Sequence, residues 1–251
     1  ARMIFKQLFE PVSSTYTYLL GCEETGQALL IDPVLPTWER DLAEVNALGL
    51  KLAFTVETHI HADHITSAKK LKAIADSRIV GPALDALPCT DVGIVDGVPF
   101  KMGSIELAPI HTPGHTDNHF AYAHAGRLYT GDALLIEACG RTDFQSGDPA
   151  ALYHSVRGKL FSYDDDTLVY PAHDYEQRRI STIGQEKARN PRLGGDRTLE
   201  DFVVLMNNLK LAYPKFIDYA VPGNRECGTC PPGVPEHLQQ YCAQIGESRQ
   251  G

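Results

Sequence analysis

One short segment carries most of the metal-binding chemistry of the chain. Three histidines and one aspartate lie within six residues, in the order His59-Ile60-His61-Ala62-Asp63-His64. Imidazole and carboxylate are ligands of zinc, iron and manganese. Alternate residues of an extended loop project to the same side. His59 and His61 can therefore meet one ion, while Asp63 and His64 turn toward a second position. The spacing predicts a metal-binding loop; the alternative is a polar loop that caps the next helix.

Three further positions offer the same types of ligand. His115 follows Pro-Gly in a tight turn, Asp132 follows a glycine, and His173 follows Pro-Ala. Each alone is typical of an ordinary loop residue. Because each is predicted at a strand terminus, where open α/β sheets place their sites, we expect them to share a site with the loop. The remaining histidines are expected to be structural or supporting (His111, His119, His124) or on the surface (His154, His237).

The segments around these positions alternate between strand and helix patterns. The first half is predicted to contain strands at 4–9, 14–20, 28–32, 51–56 and 78–80, with helices at 38–48 and 65–76. The second half is predicted to contain two strands within 99–110, a hairpin at 120–123 and 127–130, a helix of about 12 residues that Asp148 caps, and a strand at 168–170. Helices at 178–189 and 198–213 follow, and a tail without long regular elements begins at Pro214. The alternation predicts an α/β fold.

Composition excludes several classes of function. The formal charge of −9 argues against nucleic acids and anionic membranes as partners. The sequence contains no apolar run long enough to span a membrane, and we expect no signal peptide. The six cysteines are scattered, so we expect thiols in a reducing compartment. Cys227 and Cys230 form a lone C-x-x-C, interpreted as two tail thiols, with a reactive Cys227 as the open alternative.

The order of the motifs resembles the metallo-β-lactamase superfamily. H-x-H-x-D-H is followed by Pro-Gly-His115-Thr, then Gly-Asp132, then Ala-His173, so the resemblance covers residues from about 4 to 173. It implies a four-layer αββα sandwich with mixed sheets. It also implies a core at 1–173, with C-terminal helices and a tail at 174–251 packing on the same domain.

Two branches of that superfamily share these ligands: the glyoxalase II thioester hydrolases, with a dinuclear site, and the persulfide dioxygenases, with one Fe(II). The chain is more similar to the second in its segments 57–66, 140–145, 171–175 and 220–228. Glyoxalase II usually carries Phe-Phe-Glu where this chain has Thr142-Asp143-Phe144, and it has a longer helical C-terminal part that binds glutathione. All seven superfamily ligands are present, so a dinuclear hydrolase stays open as the alternative.

The resemblance to persulfide dioxygenases implies a ligand set and a reaction. One Fe(II) per chain would be held by the catalytic residues His59, His115 and Asp132, which leaves open positions for substrate and O₂. The supporting residues would be His61, Asp63, His64, His173 and Asp174. The implied reaction converts glutathione persulfide, O₂ and water to sulfite and glutathione. A non-catalytic binding module is disfavoured because the ligand set is intact.

Glutathione is anionic, so basic side chains should bind it. Arg141 is the expected carboxylate-binding residue, with a salt bridge to Asp143 or Asp174 as its alternative role. The other expected substrate contacts are Tyr175, Arg225 and Cys227. We expect a bacterial cytoplasmic protein, or a mitochondrial matrix protein if the source is eukaryotic, and allow for a homodimer.

Overall fold

The chain folds into two compact units, one that contains the first sheet and one that contains most of the second. The structure is a computed structural model, and it describes residues 3–243. The first unit takes the chain up to residue 94, residues 101–106 and the chain from residue 213 onward. The second takes residues 95–100 and 107–212. The boundary expected after His173 stays a prediction.

The first sheet has six strands in sequential order: β1 (Met3–Glu10), β2 (Thr15–Cys22), β3 (Gln27–Ile31), β4 (Lys51–Val56), β5 (Arg78–Pro82) and β6 (Val92–Ile94). β1, β2 and β3 are antiparallel, whereas β3 to β6 are parallel. Parallel neighbours need crossovers, and the helices α1 (Trp38–Ala47) and α2 (Ala68–Ala75) provide two of them. Val45 of α1 and Leu71 of α2 pack with Leu30 and Leu52 of the sheet in one core cluster.

The second sheet also has six strands, in the order β12-β11-β10-β9-β8-β7. They are β7 (Phe100–Met102), β8 (Ile105–His111), β9 (Phe120–His124), β10 (Arg127–Gly131), β11 (Leu168–Pro171) and β12 (Ser181–Thr182). β10 and β11 are parallel, and the other registered pairs are antiparallel. The helices are α3 (Pro149–Tyr153), α4 (Ile183–Arg189) and α5 (Leu199–Asn207). Leu152, Val156 and Phe202 pack on Leu128 and Val169 of the sheet.

The predicted α/β class with mixed sheets is confirmed, but several boundaries differ. α2 begins at Ala68 instead of residue 65, because the side chain of Asn224 accepts the backbone N–H of Thr66 and holds that residue in the loop. The helix expected from residue 178 begins at Ile183, because Asp174 accepts the backbone N–H of Arg178 in a turn. α5 ends at Asn207 instead of residue 213, since Leu211 and Tyr213 lie exposed and add no burial.

Three elements were missed by the sequence analysis. β6 lies between the strands predicted at 78–80 and within 99–110, and β12 lies within the helix predicted at 178–189. The tail contains the helix α6 (Ile217–Arg225), which has Pro222 in its interior. Proline disfavours a helix interior, yet α6 forms because Phe216 and Ala220 are buried against Ile65 and Tyr241. None of the helices within residues 3–243 is both long and apolar enough to cross a membrane.

The cysteine interpretation was wrong for four of the six residues. Cys89 is joined to Cys227, and Cys230 to Cys242. Cys22 and Cys139 are free and buried. Cys89 and Cys227 are 138 residues apart in the chain. No local spacing pattern indicates such a pair, and the helix that brings Cys227 into place was itself missed.

Candidate metal centre

Asp32 organises the start of the metal-binding loop in the first unit. β3 and β4 are parallel neighbours, so Asp32 after β3 and Thr58 after β4 reach the same sheet edge. Asp32 has a backbone φ of 51°, and a short polar side chain tolerates this left-handed conformation. Its carboxylate accepts the backbone N–H and the hydroxyl of Thr58, both at 2.8 Å. The carboxylate therefore fixes the direction in which the chain leaves β4.

A hydrogen-bond relay sets the tautomer of His59. The hydroxyl proton of Thr58 goes to Asp32, so Thr58 Oγ1 accepts a hydrogen bond from His59 Nδ1, at 2.8 Å. A neutral imidazole with a proton on Nδ1 carries its lone pair on Nε2. Metal-ligating histidines are oriented by a hydrogen bond at the other ring nitrogen in this way. His59 is buried, and its Nε2 has the chemistry of a metal ligand.

His61 is held by two carboxylates through one ring nitrogen. Its Nε2 lies 3.1 Å from Asp32 Oδ1 and 3.2 Å from Glu57 Oε2. Burial alone would lower the pKa of His61, but the two carboxylates raise that pKa well above its usual value. Burial alone would raise the pKa of Asp32, but His61 outweighs it and holds that pKa below the usual range. The pKa of Glu57 is raised, chiefly by burial. His61 Nδ1 is buried and has no hydrogen-bond partner among residues 3–243.

The same loop brings a second group of ligand types together. His64 Nδ1 lies 3.0 Å from Asp63 Oδ1 and 3.3 Å from Thr15 Oγ1. His61, Asp63 and His64 each offer a ligand atom, and these atoms lie within 4.8 Å of one another. The donor set suits a metal ion as well as a hydrogen-bonded cluster. The expectation that these three residues only support a neighbouring ion stays a prediction.

The second unit presents two histidines around one carboxylate. His115 Nδ1 donates to the carbonyl oxygen of Arg141 at 2.7 Å, because a carbonyl can only accept. In the neutral ring the lone pair is then on Nε2, which lies 3.2 Å from Asp132 Oδ2. His173 Nε2 lies 3.4 Å from Asp132 Oδ1. Lone pairs of His115 and Asp132 thus face each other, an arrangement that a bound cation stabilises.

Gly140 allows this arrangement to form. A Cβ at this position would lie 2.4 Å from the carbonyl oxygen of Asp132 and 2.7 Å from His115 Nδ1. The backbone N–H of Gly140 donates to that same Asp132 oxygen at 2.7 Å. The segment before Arg141 can therefore approach both residues only without a side chain, which explains the Gly-Arg pair in the sequence.

His119 supports Asp132, a role that the sequence left open between structural and supporting. It is fully buried, and its Nε2 accepts the backbone N–H of Asp132 at 3.1 Å. Its Nδ1 therefore carries the proton and donates to Thr112 Oγ1 at 2.7 Å. No spacing pattern distinguishes His119 from His124, so only the structure identifies it. Asp32 and Glu57, in contrast, were missed as site residues.

Arg141 is engaged within its own unit. Its Nε and Nη2 bind the carboxylate of Asp143 at 2.6 and 2.7 Å, and its Nη1 donates to the carbonyl oxygen of Ala212 at 2.8 Å. The hydrogen bond from Arg141 lowers the pKa of Asp143. The alternative role, a salt bridge with Asp143, is present in the structure. A contact between Arg141 and substrate stays a prediction.

The other expected substrate residues have different environments. Tyr175 is 74% exposed, and its ring stacks on His173 with centroids 6.2 Å apart. Arg225 is exposed in the last turn of α6. Cys227 is buried and disulfide-bonded, so it offers no thiol to a substrate, and the interpretation as a free tail thiol was wrong. Asp174 is buried and pairs with Arg178.

Comparison with known proteins identifies the family. A profile described as "Metallo-beta-lactamase superfamily" matches residues 11–173. "Persulfide dioxygenase ETHE1, mitochondrial" of Homo sapiens is 44% identical over 240 residues, which cover 92% of this chain and 91% of that protein. The chain belongs to the metallo-beta-lactamase superfamily, in its persulfide dioxygenase family. The crystal structure of ETHE1 from Myxococcus xanthus has a TM-score of 0.88 at 47% identity, covering 90% of this chain and 100% of that one.

A hydrolase and a di-iron protein are also similar, over less of the chain. A hydroxyacylglutathione hydrolase of Rhodospirillum rubrum is 37% identical over 174 residues, which cover 68% of this chain and 66% of that protein. A crystal structure titled TTHA1623 "in a di-iron-bound form" has a TM-score of 0.60 at 25% identity, covering 75% of this chain and 98% of that one.

Proposed function

We propose that this chain is a glutathione persulfide dioxygenase. It oxidises the terminal persulfide sulfur with O₂ and releases glutathione. Persulfide, O₂ and water give glutathione, sulfite and two protons, with two sulfite oxygens from O₂ and one from water. The observation that carries the proposal is the pair of preset histidines. His59 Nδ1 donates a hydrogen bond to Thr58, and His115 Nδ1 donates one to the Arg141 carbonyl, so the Nε2 atom of each ring is left for a metal. Asp132 lies beside His115.

The proposed metal is one Fe(II) per chain, held by His59, His115 and Asp132. Two histidines and one carboxylate are the ligand set of non-haem iron oxygenases. Iron held by this set would supply the redox chemistry by which O₂ oxidises a persulfide. The ligand types, their burial and their tautomers support this assignment.

The surrounding residues hold these ligands in fixed orientations. Thr58 and Asp32 orient His59, and the Arg141 carbonyl orients His115. His119 fixes the backbone at Asp132. Such supporting hydrogen bonds raise the basicity of a ligand and restrict its rotation. Each of these side chains is thereby held ready for a metal within its own unit.

The proposed substrate carries negative charge, and the chain itself is acidic with a formal charge of −9. Binding therefore needs local basic groups. We assign this role to Arg225, which is exposed, and to Arg141, which can contact a carboxylate only alongside its pair with Asp143. Exposed Tyr175 is the proposed aromatic contact.

The predicted compartment remains the bacterial cytoplasm or the mitochondrial matrix. A homodimer is the oligomeric state to test for.

A second candidate function is the hydrolysis of a hydroxyacylglutathione thioester at a dinuclear zinc or iron site. The grouping of His61, Asp63 and His64 favours it, because these residues offer the ligands of a second ion. The similarity to hydroxyacylglutathione hydrolases agrees with the same alternative.

Oxygen uptake separates the two functions. The purified protein is given glutathione persulfide in an oxygen-electrode cell, and sulfite is measured in parallel. We expect one sulfite per O₂ consumed, and loss of both in Asp132→Ala. A hydroxyacylglutathione thioester should be hydrolysed slowly or not at all. Fast thioester hydrolysis without persulfide-dependent oxygen uptake would contradict the proposal.

A further inference from the structure

The tail of the first unit is attached to the metal-binding loop through one buried amide. Asn224, near the end of α6, is 4% exposed. Its Oδ1 accepts the backbone N–H of Thr66 at 2.9 Å. Its Nδ2 donates to the carbonyl oxygens of His61 and His64, at 2.9 and 2.8 Å. A side-chain amide is the one neutral group that both donates twice and accepts. Asn224 therefore satisfies three backbone groups at once, two in the loop and one at Thr66 just after it.

The tail around Asn224 lies too close to the loop for bulkier residues. The carbonyl oxygen of Cys227 accepts the backbone N–H of Lys69 at 2.9 Å. A Cβ at Gly228, where φ is 112°, would lie 2.2 Å from the carbonyl oxygen of Thr66. A Cβ at Gly223 would lie 2.8 Å from Ile65 Cδ1. Two glycines thus allow the backbone on either side of Asn224 to contact the loop directly.

A disulfide anchors this tail segment to a second part of the first unit. Cys227 is bonded to Cys89, which lies just before β6. Cys227 is buried, whereas Cys89 is half-buried, so a reductant has access to the bond from the side of Cys89. Glu57, His61, Thr66, Asn224 and Cys227 line one pocket of this unit. The disulfide, the amide and the loop therefore form one contiguous cluster.

We propose that Asn224 is a positioning residue for the metal-binding loop, and that the Cys89–Cys227 disulfide keeps it in place. The redox state of this cysteine pair then sets how tightly the loop holds its metal. The inference rests on the proposed function only in that the loop binds a metal. Hydrogen bonds that orient ligands change metal affinity by about 10- to 100-fold when removed, and Asn224 supplies two to the six-residue loop and a third to Thr66 just after it.

The test measures the rate at which the metal-loaded protein loses its metal to a chelator. Asn224→Asp keeps the size and the acceptor for Thr66 but replaces the donor by an oxygen that faces two carbonyls. We expect release at least about tenfold faster than in the wild type. Asn207→Asp, at an exposed position of α5, is the matched control and should release metal at the wild-type rate. In the loaded enzyme kcat should fall, because Asn224 contacts the loop that holds the metal.

The melting temperature of the metal-free protein separates positioning from simple stabilisation. If Asn224→Asp lowers that temperature but releases metal at the wild-type rate, the residue is only structural and the inference is wrong. If this variant does not fold, removing the Cys89–Cys227 disulfide tests the inference in protein that is still folded. Cys89→Ser, and wild type treated with a water-soluble phosphine, should both release metal several-fold faster than untreated wild type.

The phosphine should cause no further change in Cys89→Ser, which controls for reduction of Cys230–Cys242 and for chelation by the reductant. Release at the untreated wild-type rate in both cases would overturn the role of the disulfide. The release assay needs no persulfide. A chain that loses metal as expected, yet takes up no O₂ with glutathione persulfide, would contradict the proposed function and leave this inference standing.

Discussion

Replacing Thr58 by valine tests the relay that orients His59. Valine matches the shape of threonine but has no hydroxyl group. The Asp32 carboxylate would lose the donor at 2.8 Å, and His59 Nδ1 would lose its acceptor at 2.8 Å. Thr58 is 1% exposed, so water has little access to either group. The variant therefore removes two buried hydrogen bonds without creating a cavity.

The magnitude follows from the charge and burial of the partners. A hydrogen bond to a charged group contributes about 1.5–3 kcal/mol, and a buried donor without a partner costs about 1–3 kcal/mol. In the variant, Asp32 keeps its hydrogen bonds with the backbone N–H at position 58 and with the His61 ring. Burial of the added methyl group offsets part of the lost stability. We expect the free energy of unfolding to fall by about 2–3 kcal/mol. We expect metal affinity to fall by about 10- to 100-fold, as when other ligand-orienting bonds are removed.

The assay combines denaturant unfolding of the metal-free protein with competition against a chelator of known affinity. Thr58→Ser is the matched control because it keeps the hydroxyl group, and it should bind metal within a few-fold of the wild type. If Thr58→Val binds metal as tightly as Thr58→Ser, then His59 does not depend on the relay and the tautomer argument is wrong.

Three further predictions concern other parts of the chain. Burial raises the pKa of Asp41 from 3.8 to about 7. The folded state therefore keeps a proton that the unfolded state loses, and the free energy of unfolding should fall between pH 4 and 7. Asp41→Asn should remove that fall in denaturant titrations at pH 4.5 and 7. His119→Phe should cost about 2–4 kcal/mol of stability and weaken metal binding, whereas His154→Phe, at an exposed position, should do neither. Changing a proposed ligand to alanine should remove the metal, as measured by metal analysis; these ligands are His59, His115 and Asp132. Changing His61 or His173 to alanine should leave most of the metal bound, because these histidines only support the site.

The sequence was most informative where chemistry and local pattern coincide. The loop from His59 to His64, the Pro-Gly turn before His115 and the Gly-Asp at residue 132 follow strands that the structure contains. Ligating residue types at strand ends are visible without a structure because the strands have their own hydrophobic pattern. The α/β class with mixed sheets was predictable for the same reason.

Residues that support the site through long-range contacts were not predictable. Asn224 binds groups that precede it by about 160 residues, and Cys89 pairs with a cysteine 138 residues away. Neither contact has a local sequence signal. The helix that carries Asn224 contains Pro222, which local propensity places outside a helix. Burial of Phe216 and Ala220 outweighs that propensity, and only the fold reveals it.

The number and identity of metal ions per chain test the central claim most directly. The protein would be produced in medium that contains both iron and zinc, purified without chelators and measured by elemental mass spectrometry against its own concentration. The proposed mononuclear ligand set of His59, His115 and Asp132 predicts about one iron per chain and little zinc, in a preparation that consumes O₂ with glutathione persulfide. About two zinc ions per chain, in a preparation that consumes no O₂, would contradict it.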